Sequence, residues 1–509
     1  MLSSPSRRIG LISLLAGALL LAACAPAPML QPPDAATPEA PPEGGANGLQ
    51  EYYDQDLDWT DCGDRHRCTR VQVPMDYDDP DGDTIELAVK VAEALGTSEG
   101  ALFVNPGGPG SSGLEFLDSV DAMFSGPILQ RFDVVGFDPR GVGESDAVRC
   151  LDSEGLDSYY GSFFEVTTDA GWEDFVATET DYGQECLENT GDLLGFVDTV
   201  SAAQDLDVLR AVMGEDSMTY LGYSYGTFLG ATYAEHFPDR VHRLVLDGAM
   251  NPALDYAEIA GGQVLGFDRA YRSFVTDCQA GPDCPFEGRV DEAIAETVDL
   301  LTTLRDDPMP ATDPDRPVTD ADLINTIVLA LYNVDSWPVL SEALTMLIYQ
   351  DDASQVRFIS DLALEREDDG TYPEDQGAFR AINCLDFPVE LDRDEITADA
   401  EALEEVSEVF GPYFGYGEVG CSTMPFEATG TRAPIAAAGA PPILVIGTTR
   451  DPATPHEWSE ALAEQLESGV LLSYDGDGHG AYGGHNSCVH EAVDAYLLEG
   501  QVPEDGTQC

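Results

Sequence analysis

Hydrophobic residues along this chain form short apolar runs that alternate with longer segments of helical spacing. Several of the runs are nearly continuous, which is typical of strands buried on both faces of a parallel sheet. The predicted strands are residues 85–91, 101–105, 132–137, 218–223, 243–247, 443–447 and 470–473. Apolar side chains three positions apart predict a helix over 201–213, and another helix is predicted to start at Tyr225. The alternation predicts an α/β fold with a mostly parallel central sheet flanked by helices.

The pattern changes between about residues 255 and 434, where the chain becomes mostly helical and acidic, as in DEAIAETVDLLTTLR. Strand spacing resumes after residue 435, at APPILVIGTTRD. A helical segment that interrupts an α/β sheet late in the chain is typical of a cap domain. The predicted organisation is therefore a core of residues 51–254 and 435–509 with a cap of 255–434 inserted into it.

The first 23 residues have the pattern of an export signal, with Arg7 and Arg8 before an apolar run too short to span a bilayer comfortably. The run ends in L-A-A-C, which resembles the bacterial lipobox and implies cleavage before Cys24 and lipidation of its thiol. The alternative is a plain secretory signal with a cysteine there by chance. Residues 24–50 are rich in Pro, Ala, Glu and Gly and are predicted to be a solvated tether. The expected location is outside the cytoplasmic membrane, either lipid-anchored on its outer face or released.

Cysteine content independently indicates export. The chain has 11 cysteines, and setting aside Cys24 leaves ten that can all pair. The candidate pairs are Cys62 with Cys68, Cys150 with Cys186, Cys278 with Cys284, Cys384 with Cys421, and Cys488 with Cys509. Sequence alone does not fix this connectivity, but disulfides persist only in oxidising compartments. Since no C-x2-C pair occurs and the histidines do not cluster with the cysteines, no metal site is predicted.

The net charge of the chain is −72, from 95 acidic and 23 basic residues. Because phosphate binding needs basic patches, this balance argues against a nucleic-acid partner. The charge is interpreted mainly as a heavily hydrated surface that keeps the protein soluble, as in salty surroundings, and secondly as a means of attracting cationic substrates. A hydrophobic content of 43% over 509 residues is enough for one large core and an accessory domain.

The stretch G-Y-S-Y-G matches the G-x-S-x-G pattern of a serine nucleophile on a sharp strand-to-helix turn. Gly222 and Gly226 suit such an elbow because side chains there would clash. The apolar run MTYLGY precedes the motif and the helical run TFLGATYAEHF follows it. This context favours Ser224 as a nucleophile over an ordinary serine in a strand. The helix N-terminus also favours the negative charge that develops beside it.

A serine nucleophile needs a base and an orienting acid, which in α/β folds with such an elbow follow it in the order Ser, Asp or Glu, His. Asp451 ends the predicted strand PILVIGTTRD, and His479 lies in a glycine-rich loop after another strand. Both are at strand C-terminal ends, where α/β sheets build their sites. Asp451 also fits a helix N-cap, since Pro452 follows it. The competing acids and histidines are Asp475, Asp477, His456, His485 and His490.

The oxyanion of an acyl-transfer intermediate needs backbone N–H donors. The run GALFVNPGGPGSSG takes a strand into a glycine-rich turn upstream of the nucleophile, where the second donor is expected. The amides of Gly108 and Tyr225 are the predicted donors. A simple tight turn is the alternative interpretation of the glycines.

Five motifs together resemble the α/β-hydrolase exopeptidases related to prolyl aminopeptidases, and most closely the exported tripeptidyl aminopeptidases of actinobacteria with their helical cap and TAP-like C-terminal part. They are N-P-G-G-P-G at 105–110, F-D-P-R-G-V-G-E-S at 137–145, G-Y-S-Y-G at 222–226, T-R-D-P-A-T-P at 449–455 and G-H-G at 478–480. The resemblance covers about residues 50–509 and implies a triad of Ser224, Asp451 and His479 that hydrolyses peptides from a free N-terminus. Asn105-Pro106 stands where prolyl aminopeptidases usually carry a histidine, which implies a different substrate class.

An aminopeptidase must pair the substrate ammonium with a carboxylate, because a cation buried without a partner is costly. AFRAINCLDFP resembles the A-I-x-C-x-D motif of the family and makes Asp386 the candidate, although a solvent-facing acid fits equally. Two other functions stay open. One is a carboxylesterase on the same scaffold, and the other is a non-catalytic peptide-binding lipoprotein. No cofactor is indicated, and a monomer is expected.

Overall fold

A mixed ten-stranded β-sheet organises the computed structural model, which describes residues 48–484 and 486–509. Its strands are β1 (Thr60–Gly63), β2 (His66–Pro74), β3 (Thr84–Ala92), β4 (Ala101–Asn105), β5 (Asp133–Phe137), β6 (Met218–Tyr223), β7 (Val241–Asp247), β8 (Ile443–Arg450), β9 (Gly469–Asp477) and β10 (Thr507–Gln508). They lie in the order β1-β2-β3-β5-β4-β6-β7-β8-β9-β10. The strand pairs from β1 to β5 are antiparallel, and all pairs from β5 to β10 are parallel.

The α-helices lie before and between the strands of the sheet. They are α1 (Gln50–Tyr53), α2 (Gly113–Phe116), α3 (Val120–Met123), α4 (Gly126–Arg131), α5 (Ser153–Tyr160), α6 (Asp169–Thr190), α7 (Thr199–Val212), α8 (Tyr225–His236), α9 (Tyr256–Ala280), α10 (Val290–Asp306), α11 (Asp320–Leu331), α12 (Trp337–Gln350), α13 (Ser354–Ala363), α14 (Ala378–Asp386), α15 (Arg393–Val406), α16 (Gly411–Phe414), α17 (Gly417–Ser422), α18 (His456–Gln465) and α19 (Ser487–Glu499). Short 3-10 helices occupy Leu117–Ser119, Gly191–Gly195, Pro238–Arg240 and Val334–Ser336. In the part of the chain that the structure describes, no helix is long and apolar enough to cross a membrane.

The sheet is covered on both faces, as near-continuous apolar strands require. Successive side chains of a strand point to opposite faces. In β4, Phe103 therefore joins one buried cluster, with residues of α7 and α8, whereas Leu102 and Val104 join another, with residues of α4 and α19. This arrangement is the α/β-hydrolase fold, and it confirms the fold class expected from the sequence.

The segment between β7 and β8 holds the helices α9 to α17 and packs in two places. Most of its apolar residues form their own cluster around Phe267, Leu323 and Leu340. Its α14 instead contributes Ala381 and Leu385 to the cluster beneath the sheet. The insertion is thus anchored to the core, while its boundaries at residues 255 and 434 stay predictions.

All seven strands expected from the sequence are present; β4 and β6 have the predicted ends, and the other five differ at one or both ends. The sequence prediction missed β1, β2 and β10. The four residues of β1 are all exposed, and β10 has only two residues, so neither carries an apolar run. In β2, buried and exposed positions alternate from Thr69 to Val73, which is the pattern of a half-buried strand, and the prediction missed it because it rested on continuous apolar runs.

All five cysteine pairs expected from the sequence are disulfide-bonded in the structure. One of them, Cys384–Cys421, joins α14 to α17 within the insertion. Cys24, the export signal and almost all of the tether lie outside the described residues.

Candidate active site

Ser224 stands between β6 and α8 in a conformation that few side chains adopt, with φ of 54° and ψ of −123°. Its N–H donates to the Asp247 carbonyl at 3.0 Å. The flanking glycines are required by contact: a Cβ on Gly222 would lie 2.4 Å from the Gly226 carbonyl oxygen, and one on Gly226 would lie 2.7 Å from Asn105 Oδ1. This is the strained strand–turn–helix elbow expected for a nucleophile.

Asp451 and His479, which are 28 positions apart in the sequence, meet at the carboxyl edge of the sheet. His479 Nδ1 lies 2.8 Å from Asp451 Oδ1 and 3.0 Å from Oδ2. The carboxylate also accepts the N–H groups of Ala453 and Thr454, at 3.0 and 2.9 Å, and that of Gly480 at 3.2 Å. With 2% of its surface exposed and these hydrogen bonds, Asp451 is held in the position that an orienting acid needs.

The same pair controls the ionisation of the imidazole. Burial opposes protonation of His479, but the Asp451 charge, its hydrogen bond and the further carboxylate of Asp247 outweigh it and raise the pKa of His479 above its ordinary value. An imidazole stabilised in this way can accept a proton from a nucleophile and hold it while the intermediate forms.

The main chain at residues 247 and 248 lies between His479 and the nucleophile elbow and contacts both. A Cβ on Gly248 would lie 3.3 Å from His479 Cε1, and Gly248 directly follows the residue whose carbonyl holds Ser224 N–H. In the insertion, the main-chain carbonyl of Tyr332 accepts the main-chain N–H of His479 at 2.9 Å. The Tyr332 ring also lies edge-on to the imidazole, with 5.1 Å between the ring centroids. The sequence prediction missed this contact of the insertion with the catalytic loop.

The glycine turn after β4 lies directly against the elbow. A Cβ on Gly107 would be 2.9 Å from Ser224 Cβ and 3.3 Å from Tyr225 N. The Gly107 N–H is already bonded to Asn105 Oδ1 at 3.0 Å, so the next amide in the turn, that of Gly108, is the candidate donor. Tyr225 begins α8, and the first amides of a helix have no partner within it. The geometry therefore fits an oxyanion hole made by Gly108 and Tyr225.

The rival residues have other partners. Asp475 and Asp477 both pair with Arg450. His456 lies 2.8 Å from Ser473 Oγ, and the His490 ring bonds to the main chain of Gly484. His485 lies outside the described residues.

Asp386 is in a different environment from the one its predicted role requires. It is 4% exposed, and its two oxygens accept the N–H and the hydroxyl of Thr199. The Thr199 hydroxyl also bonds to Tyr225 OH at 2.6 Å. Burial raises the pKa of Asp386 to about 7, despite the bonds from Thr199. The structure thus places Asp386 beneath the elbow, and its substrate-binding role stays a prediction.

A cleft of about 1480 Å³ opens beside the oxyanion turn, whose Pro106, Gly110 and Ser111 form part of its wall. The exposed apolar side chains of Phe358 and Leu362, both on α13, form another part. Ten acidic residues and four arginines also line it. Each of the four arginines forms a salt bridge, so the unpaired charge of the cleft is negative. Such a cleft suits a peptide whose leading end is positively charged.

The chain is similar to known proteins over most of its length. Residues 407–509 match the family described as TAP-like protein. Serine protease Hip1 of Mycobacterium tuberculosis is 34% identical over 496 residues, which cover 92% of this chain and 93% of that protein. Carboxylesterase B of the same organism is 35% identical over 501 residues, covering 95% of each chain. Tripeptidyl aminopeptidase of Streptomyces lividans is 30% identical over 478 residues, covering 89% of this chain and 86% of that protein.

Proposed function

Because this chain belongs to the tripeptidyl aminopeptidase family of α/β-hydrolase serine peptidases, we propose that it releases short fragments from the free N-terminus of peptides. The observation that carries the proposal is the buried Asp451–His479 pair, held at 2.8 Å next to the strained elbow of Ser224. A peptide-binding protein without catalysis has no need for either feature.

In the proposed reaction, Ser224 Oγ attacks the scissile carbonyl while His479 takes its proton. The intermediate then collapses to an acyl-enzyme as His479 returns the proton to the leaving amine, and water repeats the sequence to release the fragment. Asp451 accepts a hydrogen bond from the Nδ1–H group of His479, which leaves Nε2 free to act as the base. The amides of Gly108 and Tyr225 stabilise the negative charge on the carbonyl oxygen.

The amino-terminal fragment of the substrate is proposed to lie in the acidic cleft beside the oxyanion turn. Two carboxylates are candidates for its ammonium group. Asp386 has the motif expected from the sequence but is already bonded to Thr199. Glu365 lines the cleft, and partial desolvation together with the nearby carboxylates of Asp375 and Glu115 raises its pKa. A cation next to Glu365 would relieve this repulsion.

The proposed function is tested with a tripeptide anilide and its N-acetylated analogue. We expect kcat/KM for the free amine to exceed that of the blocked substrate by about 100-fold, because acetylation removes the positive charge that the acidic cleft attracts and that a carboxylate can pair with. Release of the anilide chromophore measures both rates. Equal rates, together with faster hydrolysis of a matched ester, would favour the carboxylesterase function that the name of one relative suggests.

The same two substrates identify the ammonium partner through the paired variants Glu365→Gln and Asp386→Asn. The variant of the true partner loses the preference for the free amine, whereas the other keeps it. Asn at 386 can still accept the Thr199 N–H, so its fold is expected to survive. If both variants keep the preference, neither carboxylate receives the ammonium.

We further propose that the protein is exported and held on the outer face of the cytoplasmic membrane through a lipid on Cys24. The lipobox-like L-A-A-C sequence and the five disulfides support this location. Replacing Cys24 with serine is expected to move most of the activity from the membrane fraction to the medium. An unchanged distribution between the two fractions would argue against a lipid anchor.

A further inference from the structure

Asp247 is a fully buried acid at the end of β7 that the sequence prediction did not consider. Its main-chain carbonyl accepts the Ser224 N–H at 3.0 Å. The N–H of the next residue, Gly248, donates to the Ile446 carbonyl at 3.0 Å. Gly248 also lies against the imidazole of His479. The main chain at this point therefore contacts both the nucleophile elbow and the base.

The Asp247 side chain holds the loop that carries His479. Its carboxylate accepts the N–H of Ala481, at 3.1 and 3.0 Å to the two oxygens, and that of Tyr482 at 2.7 Å. The preceding amide, Gly480 N–H, goes to Asp451. Three consecutive N–H groups of the loop thus bond to two buried carboxylates. These hydrogen bonds fix the course of the main chain directly after His479.

We infer that Asp247 is a positioning residue of the catalytic site, which sets the distance between Ser224 and His479 by holding the first through its carbonyl and the loop of the second through its carboxylate. The inference rests on the assignment of these two residues to the triad. Asp247 is thus a fourth residue that the reaction depends on. It takes no part in the chemistry itself and acts only by positioning Ser224 and His479.

The charge of Asp247 also acts on the base. The ionisable groups that face its carboxylate are Asp451 directly after β8, His479 on the loop after β9, and Tyr223 on β6. Burial raises the pKa of Asp247 to about 6, partly offset by the amides of Tyr482 and Ala481. Its negative charge is one of the influences that raise the pKa of His479. Removing this charge must therefore lower the pKa of His479.

The test is Asp247→Asn, which preserves the shape of the side chain but removes its charge. The NH2 group of the new side chain also faces a main-chain N–H of the loop where a carboxylate oxygen accepted it before. We expect kcat/KM for the free-amine anilide to fall about 10- to 100-fold, mostly through kcat, because small misplacements of catalytic groups carry penalties of this size. We also expect the acidic limb of the pH profile to move to lower pH, since a less basic His479 stays neutral further into acid.

Glu235→Gln is the matched control. Glu235 also holds two consecutive loop amides, those of Ala436 and Ala437, but it lies at the far end of α8. This variant is expected to keep both kcat and the acidic limb. The inference is overturned if Asp247→Asn retains wild-type kcat, or if it loses activity without a shift of the acidic limb.

Titration with a fluorophosphonate counts the folded sites, so kcat is expressed per labelled site. If Asp247→Asn does not fold, Asp247→Glu is used in its place. This variant keeps the negative charge but has a side chain longer by a methylene group. We therefore expect kcat to fall while the acidic limb of the pH profile stays in place. A wild-type kcat for Asp247→Glu would then overturn the inference. Failure of the triad assignment is distinguishable, because labelling would then persist in Ser224→Ala.

Discussion

Replacing Ser224 with alanine is expected to reduce kcat for the free-amine anilide by about 10⁶-fold and to abolish fluorophosphonate labelling. Without the hydroxyl no acyl-enzyme forms, and the oxyanion hole and the cleft alone supply only the small residual acceleration known for serine hydrolases. The fold should be unaffected, since the Ser224 side chain forms no cap with α8 and the elbow is held by its main-chain N–H. Chromophore release and mass spectrometry of the labelled protein measure the two effects.

A control serine is available just before the same strand. Ser217 directly precedes β6 at the end opposite to the elbow, so Ser217→Ala should retain wild-type activity and labelling. Labelling that survives in Ser224→Ala would place the nucleophile elsewhere and remove the basis of the proposed mechanism.

The parts of this site that the sequence predicted are those set by local pattern. The G-Y-S-Y-G elbow requires glycines on both sides of the serine, and the structure accounts for both by close contacts. Asp451 and His479 could be identified because each follows an apolar strand, and strand ends of a parallel sheet converge on one edge. The central strands were predictable for the same reason, since buried parallel strands are nearly continuous apolar runs.

The parts that the sequence did not predict depend on contacts between distant segments. Asp386 lies on a helix with a recognisable motif, but only the packing of α14 against Thr199 determines that the carboxylate is buried. Asp247 also ends an apolar strand, LVLD, so the rule that found Asp451 could have found it. Its role, however, comes from the course of the 480–482 loop, which no local pattern encodes. The contact of Tyr332 with His479 likewise requires the docked insertion.

Replacing Asp451 with asparagine is expected to lower kcat by about 10⁴-fold while substrate binding changes little. In the wild type, Asp451 Oδ1 accepts a hydrogen bond from His479 Nδ1–H, with 2.8 Å between the two atoms, and it also accepts the N–H groups of Ala453 and Thr454. An asparagine whose oxygen keeps these two amides must turn its NH2 group toward His479. Nδ1 then becomes an acceptor, the ring proton moves to Nε2, and the nitrogen that should take the Ser224 proton is blocked.

The neighbouring acids provide the controls for this prediction. Asp475 and Asp477 were rivals for the same role, and both pair with Arg450 instead of His479. Asp475→Asn and Asp477→Asn should therefore each retain activity within a few-fold of wild type, because surface ion pairs contribute little. A large loss in one of these variants with a mild effect in Asp451→Asn would transfer the orienting role to that acid. We expect the large loss only in Asp451→Asn. That result would show that the buried hydrogen bonds of Asp451, and not simply a nearby negative charge, make His479 a base.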